Sequence, residues 1–210
     1  ADRVTIIRGG RNIAPLELEE IDEERVANLM LGAEVSPLVN VDCSKEPGDV
    51  ILEIEGLNVM SDRGLSAVSD ANIIVRAGQI VGLAGVAGNG QRELADAIAG
   101  LHEIDSGEIK ILGNLVTGKR AREIINAGVS LIPEDRTGTG LVSSLSVTEN
   151  AILRGYWNSR FSGRILINWD EVGMHTQKLV EDFNVKTPHT DEEVWKLSGG
   201  NQQRLLLARE

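Results

Sequence analysis

An apolar run that leads directly into a glycine-rich loop constrains the fold of this chain most strongly. Residues 80–84 are continuously apolar, which is typical of a strand buried on both faces. The loop Gly85-Val-Ala-Gly-Asn-Gly-Gln-Arg92 follows, and residues 93–99 are predicted to form a helix that ends at Gly100. A strand, a glycine loop and a helix in this order predict a phosphate-binding loop, in which backbone N–H groups and the helix dipole attract phosphate.

This phosphate loop, residues 85–92, departs from the usual pattern at its last two positions. The spacing fits G-x-x-x-x-G-K-[ST], with Gly85 and Gly90 in the glycine places. Gln91 stands where a lysine neutralises the β- and γ-phosphates, and Arg92 stands where a serine or threonine binds Mg²⁺. Two alternatives remain open: a plain tight turn, and a dinucleotide-binding loop, which requires a third glycine where Glu93 stands.

A second glycine motif, Leu197-Ser-Gly-Gly-Asn-Gln-Gln203, lies just before a predicted final helix. Ser198 is predicted to cap that helix, and Gly199 and Gly200 leave its first N–H groups bare. The motif therefore predicts a second anion site, or, as the alternative, only a capped helix.

The rest of the chain predicts strands that alternate with helices. Such alternation favours an α/β domain with a largely parallel sheet. The predicted strands are 4–8, 50–55, 73–76, 80–84, 108–112 and 129–132; the predicted helices are 18–31, 93–99, 120–127, 148–153, 169–183 and the segment after Ser198.

Charge and cysteine content exclude some classes of protein. The formal net charge of −11 argues against a nucleic-acid partner, since non-specific nucleic-acid binding requires a basic face. A single cysteine, Cys43, cannot form an internal disulfide, which suits a reducing, cytoplasmic setting. The sequence contains no signal peptide and no apolar run long enough to span a bilayer, so membrane association is expected to go through a partner.

Together, the two glycine motifs resemble the ATP-binding-cassette (ABC) family, and the resemblance covers about residues 50–210. Residues 197–203 match the signature motif of that family, with Asn201 at a position usually held by Gln. A third stretch, Gly128-Val-Ser-Leu-Ile-Pro-Glu-Asp-Arg136 followed by Gly140-Leu and Ser146-Val-Thr-Glu-Asn150, resembles the second cassette of tandem ATPases from bacterial sugar and nucleoside importers. The implied fold is an α/β, P-loop NTPase-like cassette with a β subdomain and a helical signature subdomain, truncated before the Walker B strand.

The resemblance also implies a domain organisation. Residues 1–34 look like the C-terminal tail of a preceding cassette, and residues 35–49 look like a linker. Residues 50–210 would be an incomplete second cassette, with the nucleotide-binding core and β subdomain in 50–135 and the helical subdomain in 136–210.

In this family two cassettes close head to tail on ATP, so the resemblance implies distinct roles for the two motifs. The phosphate loop would bind ATP weakly or without efficient turnover, and Glu134 or a neighbour would take the place of the Gln that contacts the metal and the attacking water. No catalytic residue and no metal ligand is expected within this sequence. The candidate ATP-phosphate residues are Gly85, Val86, Ala87, Gly88, Asn89, Gly90, Gln91 and Arg92; the candidate contacts to the partner's ATP are Ser198, Gly199, Gly200, Asn201 and Gln202.

The implied protein is the ATPase subunit of an importer on the cytoplasmic face of the bacterial inner membrane, attached peripherally. Its full-length form would use ATP and Mg²⁺, whereas these 210 residues alone would be inactive. Its partners would be the first cassette of the same polypeptide, transmembrane permease subunits and, indirectly, a solute-binding protein. The alternatives are a non-catalytic cassette-shaped module without its own nucleotide and a soluble cassette protein of repair or translation.

Overall fold

The structure is a computed structural model, and it describes residues 3–8, 10–17, 22–31, 46–163 and 166–210. The chain divides into two compact units, residues 1–46 and 47–210. Most of the predicted linker, Cys43 and the first four residues of the helix predicted at 18–31 lie outside the described residues.

The first unit contains a hairpin and a helix. Strand β1 (Arg3–Arg8) pairs antiparallel with β2 (Arg11–Glu17), and helix α1 spans Glu23–Leu31. The guanidinium of Arg8 donates a hydrogen bond to the carbonyl of Leu29 at 3.1 Å, which ties the end of β1 to the helix. The predicted strand at 4–8 is confirmed, and so is the described part of the predicted helix.

The second unit contains a four-stranded sheet in the order β4-β3-β5-β6, with every neighbouring pair antiparallel. Its strands are β3 (Val50–Met60), β4 (Ser66–Arg76), β5 (Ser106–Ile111) and β6 (Asn114–Leu115). Its helices are α2 (Gln91–Ile98), α3 (Ala121–Asn126), α4 (Val147–Ile152), α5 (Trp169–Asp182) and α6 (Gly199–Arg209).

One apolar core joins the sheet to α2 and α3. Ile54 of β3 lies directly opposite Ile109 of β5, and both are buried. Leu94 of α2 and Ile124 of α3 pack in the same cluster. Because α2 begins at Gln91, within the last two residues of the phosphate loop, this packing fixes the position of the end of the loop.

The predicted parallel sheet is wrong for the described residues. Neither 80–84 nor 129–132 forms a strand, and the exposed fractions of Ile80 (92%) and Leu83 (56%) are high. A short apolar run becomes a strand only when neighbouring strands supply hydrogen-bond partners, and no described strand pairs with either segment. The remaining predicted elements of this unit are confirmed, with boundaries that differ by a few residues.

Helices α4, α5 and α6 form the helical part of the second unit. Val147, Val194, Leu205 and Leu206 are buried together in one cluster, while Val172 of α5 packs with Ile152 in another. A single 3₁₀ turn, Val194–Lys196, precedes α6 and contributes to the first cluster. The signature motif therefore begins on a firmly packed base.

Asn150 of α4 fixes the segment that enters this helical part. It is fully buried, and its carboxamide oxygen accepts a hydrogen bond from the Val142 N–H at 2.9 Å. Its nitrogen donates to the carbonyls of Val142, Leu145 and Ser146 at 2.9, 3.2 and 3.0 Å. One side chain thus bonds four backbone groups of the turn before α4, and among the described residues it is the only acceptor for the Val142 N–H.

We predict that Asn150→Ala lowers the free energy of unfolding by about 1–3 kcal/mol, because the Val142 N–H loses its acceptor while the three carbonyls each lose one of two donors. Asn114→Ala is the matched control, since the exposed Asn114 makes only one side-chain bond among the described residues, to the Leu112 carbonyl at 3.2 Å. The control should change stability by less than about 0.5 kcal/mol. Urea unfolding monitored by circular dichroism measures both; equal losses would contradict this account of Asn150.

Candidate nucleotide-binding sites

The phosphate loop is open to solvent and ends against the sheet. Residues 81–89 are exposed, whereas Gly90 is buried. Gly90 has φ 92°, a left-handed conformation, and a Cβ at this position would collide with the carbonyl oxygen of Ala67 in β4. Both conformation and space therefore require glycine at the last loop position before α2.

The start of α2 leaves its backbone donors available. Gly90 is the N-cap residue and has no side chain, so the helix has no side-chain cap. The first N–H groups of a helix lack intrahelical partners and attract anions. A pocket of about 390 Å³ adjoins this end, and its lining includes Ala67, Leu83, Gly85, Asn89, Gly90 and Gln91.

Gln91 folds back over the loop. A Cβ on Gly85 would overlap with Nε2 of Gln91, so the Gln91 carboxamide lies directly against the Gly85 backbone. Among the described residues, the Gln91 side chain makes no hydrogen bond. It places a neutral donor at the motif position where a lysine carries a full charge.

Arg92 lies on a solvent-exposed part of α2. Its side chain is 79% exposed, and its Nε lies 3.5 Å from Oδ2 of Asp96, one helical turn along. An exposed pair of this kind contributes little to stability. In this structure the loop therefore receives no cationic contact from either substituted position.

The signature motif lies at the N-terminus of α6. Ser198 is the N-cap residue, as predicted, and both Ser198 and Gly200 are exposed. The prediction that the Ser198 hydroxyl caps the helix is wrong, because this hydroxyl makes no hydrogen bond with a helix N–H. It accepts instead from the side-chain nitrogen of Asn201 at 3.0 Å. The N–H groups of Gly199 and Gly200 remain without partners among the described residues.

Asn201 and Gln202 support the motif in different ways. The oxygen of the Asn201 carboxamide accepts from the Lys186 N–H at 2.9 Å, so Asn201 ties Ser198 to the loop before the signature. Gln202 is buried and donates to the carbonyls of Val194 and Leu197 at 3.0 and 3.3 Å. The side chain of Gln202 thus turns inward and holds the preceding turn in place.

The segment that contains Glu134 lies against α6. Asp135 caps a single π-helical turn, Arg136–Gly140, by accepting the N–H groups of Thr137 and Gly138 at 3.1 and 2.9 Å. Glu134 itself is exposed, and no hydrogen bond or ion pair joins it to the phosphate loop or the signature in the described part of the chain. The two glycine motifs are likewise not joined to one another by any such contact among the described residues.

Two arginines to which the motifs assign no role lie where this turn meets α6. Nη2 of Arg136 lies 3.1 Å from where a Cβ of Gly199 would stand, and Nη1 of Arg209 donates to the Gly140 carbonyl at 2.7 Å. The sequence places Arg136 at the end of the stretch 128–136 without a role for its side chain, and its side chain makes no ion pair among the described residues. Both contacts are tertiary, so no local signal predicts them.

A buried ion cluster closes the other end of α6. Glu210 is shared by Arg154 and Arg209, the second pair at 2.9 Å, and Arg154 also donates to the Val129 carbonyl. Burial lowers the pKa of both guanidinium groups, and for Arg209 the neighbouring charge of Arg154 adds to the effect. One carboxylate therefore compensates two half-buried cations, which ties α6, the residues just after α4 and the segment at 129 together.

Within the described residues, no group of three or more His, Cys, Asp or Glu side chains is placed to hold a metal ion. None of the described helices is both long and apolar enough to cross a membrane.

Comparison with known proteins identifies the class to which this fold and these motifs belong. The family model described as ABC transporter matches residues 68–210, which is more than half of the chain. The chain therefore belongs to the ABC transporter family, as its motifs predict.

Curated relatives align with this chain over its whole length. The glucose import ATP-binding protein TsgD13 of Haloferax volcanii is 40% identical over 212 residues, covering 100% of this chain and 38% of its own length. The nucleoside import ATP-binding protein NupA of Lactococcus lactis is 40% identical over 210 residues, covering 100% of this chain and 41% of its own length. This chain thus spans about 40% of the length of these relatives.

Solved structures support the fold. A nucleotide-free ATP-binding cassette from an ABC transporter matches with a TM-score of 0.62 at 22% identity, covering 76% of this chain and 64% of that one. The dimeric cassette MJ0796 matches with a TM-score of 0.61 at 17% identity, covering 76% and 68%. The predicted cassette fold is confirmed, with antiparallel strands in its β subdomain.

We predict that the carboxyl group of Asp135 titrates below its ordinary pKa of 3.8, because the Gly138 and Thr137 N–H groups stabilise its charged form. A depressed pKa means that the charged carboxylate stabilises the turn at any pH above the ordinary pKa. This stabilisation is lost as the pH falls through the lower pKa of the folded state. A ¹³C NMR titration of the carboxyl measures it. In the Asp135→Asn variant, the chemical shift of the Gly138 amide should no longer change with pH in the acid range. A pKa of Asp135 at or above 3.8 would contradict the capping role.

Proposed function

We propose that this chain is part of the second cassette of a tandem ATP-binding subunit that drives import of a sugar or a nucleoside. The names of TsgD13 and NupA support this solute range, and both proteins extend well beyond the matched region. Residues 1–34 would then be the tail of a first cassette, and residues 35–49 the linker. The subunit would act at the cytoplasmic face of the bacterial inner membrane through permease subunits, which receive solute from a binding protein.

The signature end of α6 carries this proposal. The two glycine N–H groups make no hydrogen bond among the described residues, and Ser198 and Gly200 are exposed, while Leu205 and Leu206 further along the helix are buried. Bare amides at a helix N-terminus favour a phosphate group. We propose that Ser198, Gly199 and Gly200 donate hydrogen bonds to the γ-phosphate of ATP held by the first cassette, with Asn201 and Gln202 fixing their geometry.

The phosphate loop has a lesser role in the proposed mechanism. Its glycines can place backbone donors around a phosphate, but Gln91 lacks the charge that a lysine supplies to the transferring group. Removing such a charge raises the barrier by several kcal/mol in order of magnitude. The loop would therefore bind nucleotide without efficient turnover, and productive hydrolysis would take place at the site that the signature completes.

A non-catalytic module is the second candidate. The residues at positions 91 and 92 favour such a module, because neither Gln91 nor Arg92 contributes a cation to the loop in this structure. Such a module would keep the cassette shape for dimer geometry and permease contact without its own nucleotide. Equilibrium ATP binding separates the two candidates, with Gln91→Lys as the positive control.

We predict that Ser198→Arg in the full-length protein lowers ATP turnover at least about tenfold, because the added side chain fills the phosphate-facing end of α6. Gln177→Arg is the matched control: it adds the same charge on exposed α5, where it can keep the pairing that Gln177 makes with Glu181 at 2.8 Å. Steady-state phosphate release measures both variants. Unchanged turnover in Ser198→Arg would show that the signature role is wrong.

A further inference from the structure

The phosphate loop does not fit the Mg²⁺ ion that this family implies. Magnesium requires oxygen ligands, chiefly carboxylates and the substrate phosphates. Arg92 occupies the position of the hydroxyl ligand, and a guanidinium has no acceptor atom. None of the eight loop residues carries a carboxylate or a hydroxyl group. The carboxylate of Asp96 is already paired with Arg92, and Glu134 makes no hydrogen bond or ion pair with the loop in the described part of the chain.

Arg92 lies where a bound anion would stabilise its charge. A cation in the first turn of a helix opposes the helix dipole, and an acidic residue four positions later, Asp96, is the less favourable order for an ion pair. Helix side chains tilt toward the N-terminus, so the exposed Arg92 side chain can reach past the start of α2 toward the loop. Its contact with Asp96 is single, exposed and easily broken.

We infer that the phosphate loop binds nucleotide phosphate free of metal, with Arg92 supplying the positive charge that lysine and Mg²⁺ supply in other cassettes. Gln91 contributes a neutral Nε2 donor beside Gly85, and the uncapped amides of α2 complete the cradle. This inference rests on the proposed function, in which the loop is shaped for phosphate.

Metal-free binding has a direct consequence for affinity. Free ATP carries more negative charge than its magnesium complex, so it pairs more strongly with Arg92. Mg²⁺ would compete with Arg92 for the same phosphate oxygens. Chelation of Mg²⁺ should therefore leave binding at this loop unchanged or make it tighter.

The test is calorimetric titration of the chain with ATP, once in EDTA and once in excess Mg²⁺. The dissociation constant in EDTA should be equal to or lower than that in Mg²⁺. Arg92→Ser should weaken binding in EDTA about tenfold or more, the size expected for a charge-assisted contact to phosphate. Arg76→Ser, which removes an equal charge from an exposed position on β4, should change the constant less than about twofold.

A double variant supplies the opposite phenotype. Gln91→Lys with Arg92→Ser restores the usual loop sequence, and its ATP binding should become tighter in Mg²⁺ than in EDTA. Three results would overturn the inference: wild-type binding that requires Mg²⁺, no effect of Arg92→Ser, or no binding of ATP by the wild-type chain. None of these affects the Ser198→Arg result, so failure here is distinguishable from failure of the proposed function.

Discussion

Helix α6 is held by burial along one side, while its N-terminus stays open to solvent. Leu205 and Leu206 are almost completely buried, and Arg209 binds the Gly140 carbonyl at 2.7 Å near the other end. A helix fixed in this way presents the same bare amides in the same place, which pre-organises them for an anion without a further ordering cost. The signature and the turn at 136–140 depend on this one anchoring arrangement.

The two glycine motifs are built on the same physics but differ in their support. At the signature, Asn201 and Gln202 hold the backbone that leads into the exposed glycines. At the phosphate loop, backbone conformation is set by Gly90, yet the flanking side chains are a neutral amide and an exposed arginine that pairs with Asp96. A site with fixed donors and no fixed cation suits binding better than phosphoryl transfer.

The sequence predicted features that depend on local chemistry. The glycine loop followed by α2, the position of Ser198 before α6 and most helices were predicted because caps, glycines and periodicity are local signals. The parallel sheet was wrong because the apolar run at 80–84 looks the same whether or not strands pair with it. The contact of Arg136 with Gly199, the bond from Arg209 to the Gly140 carbonyl and the inward turn of Gln202 arise from tertiary packing that no spacing rule reveals.

The central claim is that this chain acts on a nucleotide through its signature. ATP with a photoreactive group on its γ-phosphate tests it most directly, using full-length protein under non-hydrolysing conditions. Trypsin separates the motifs, because cleavage after Lys196 and Arg204 releases the signature peptide and cleavage after Arg76 and Arg92 releases the loop peptide. The account predicts labelling of the signature peptide that is lost when the first cassette is removed. Label confined to the loop peptide would contradict it.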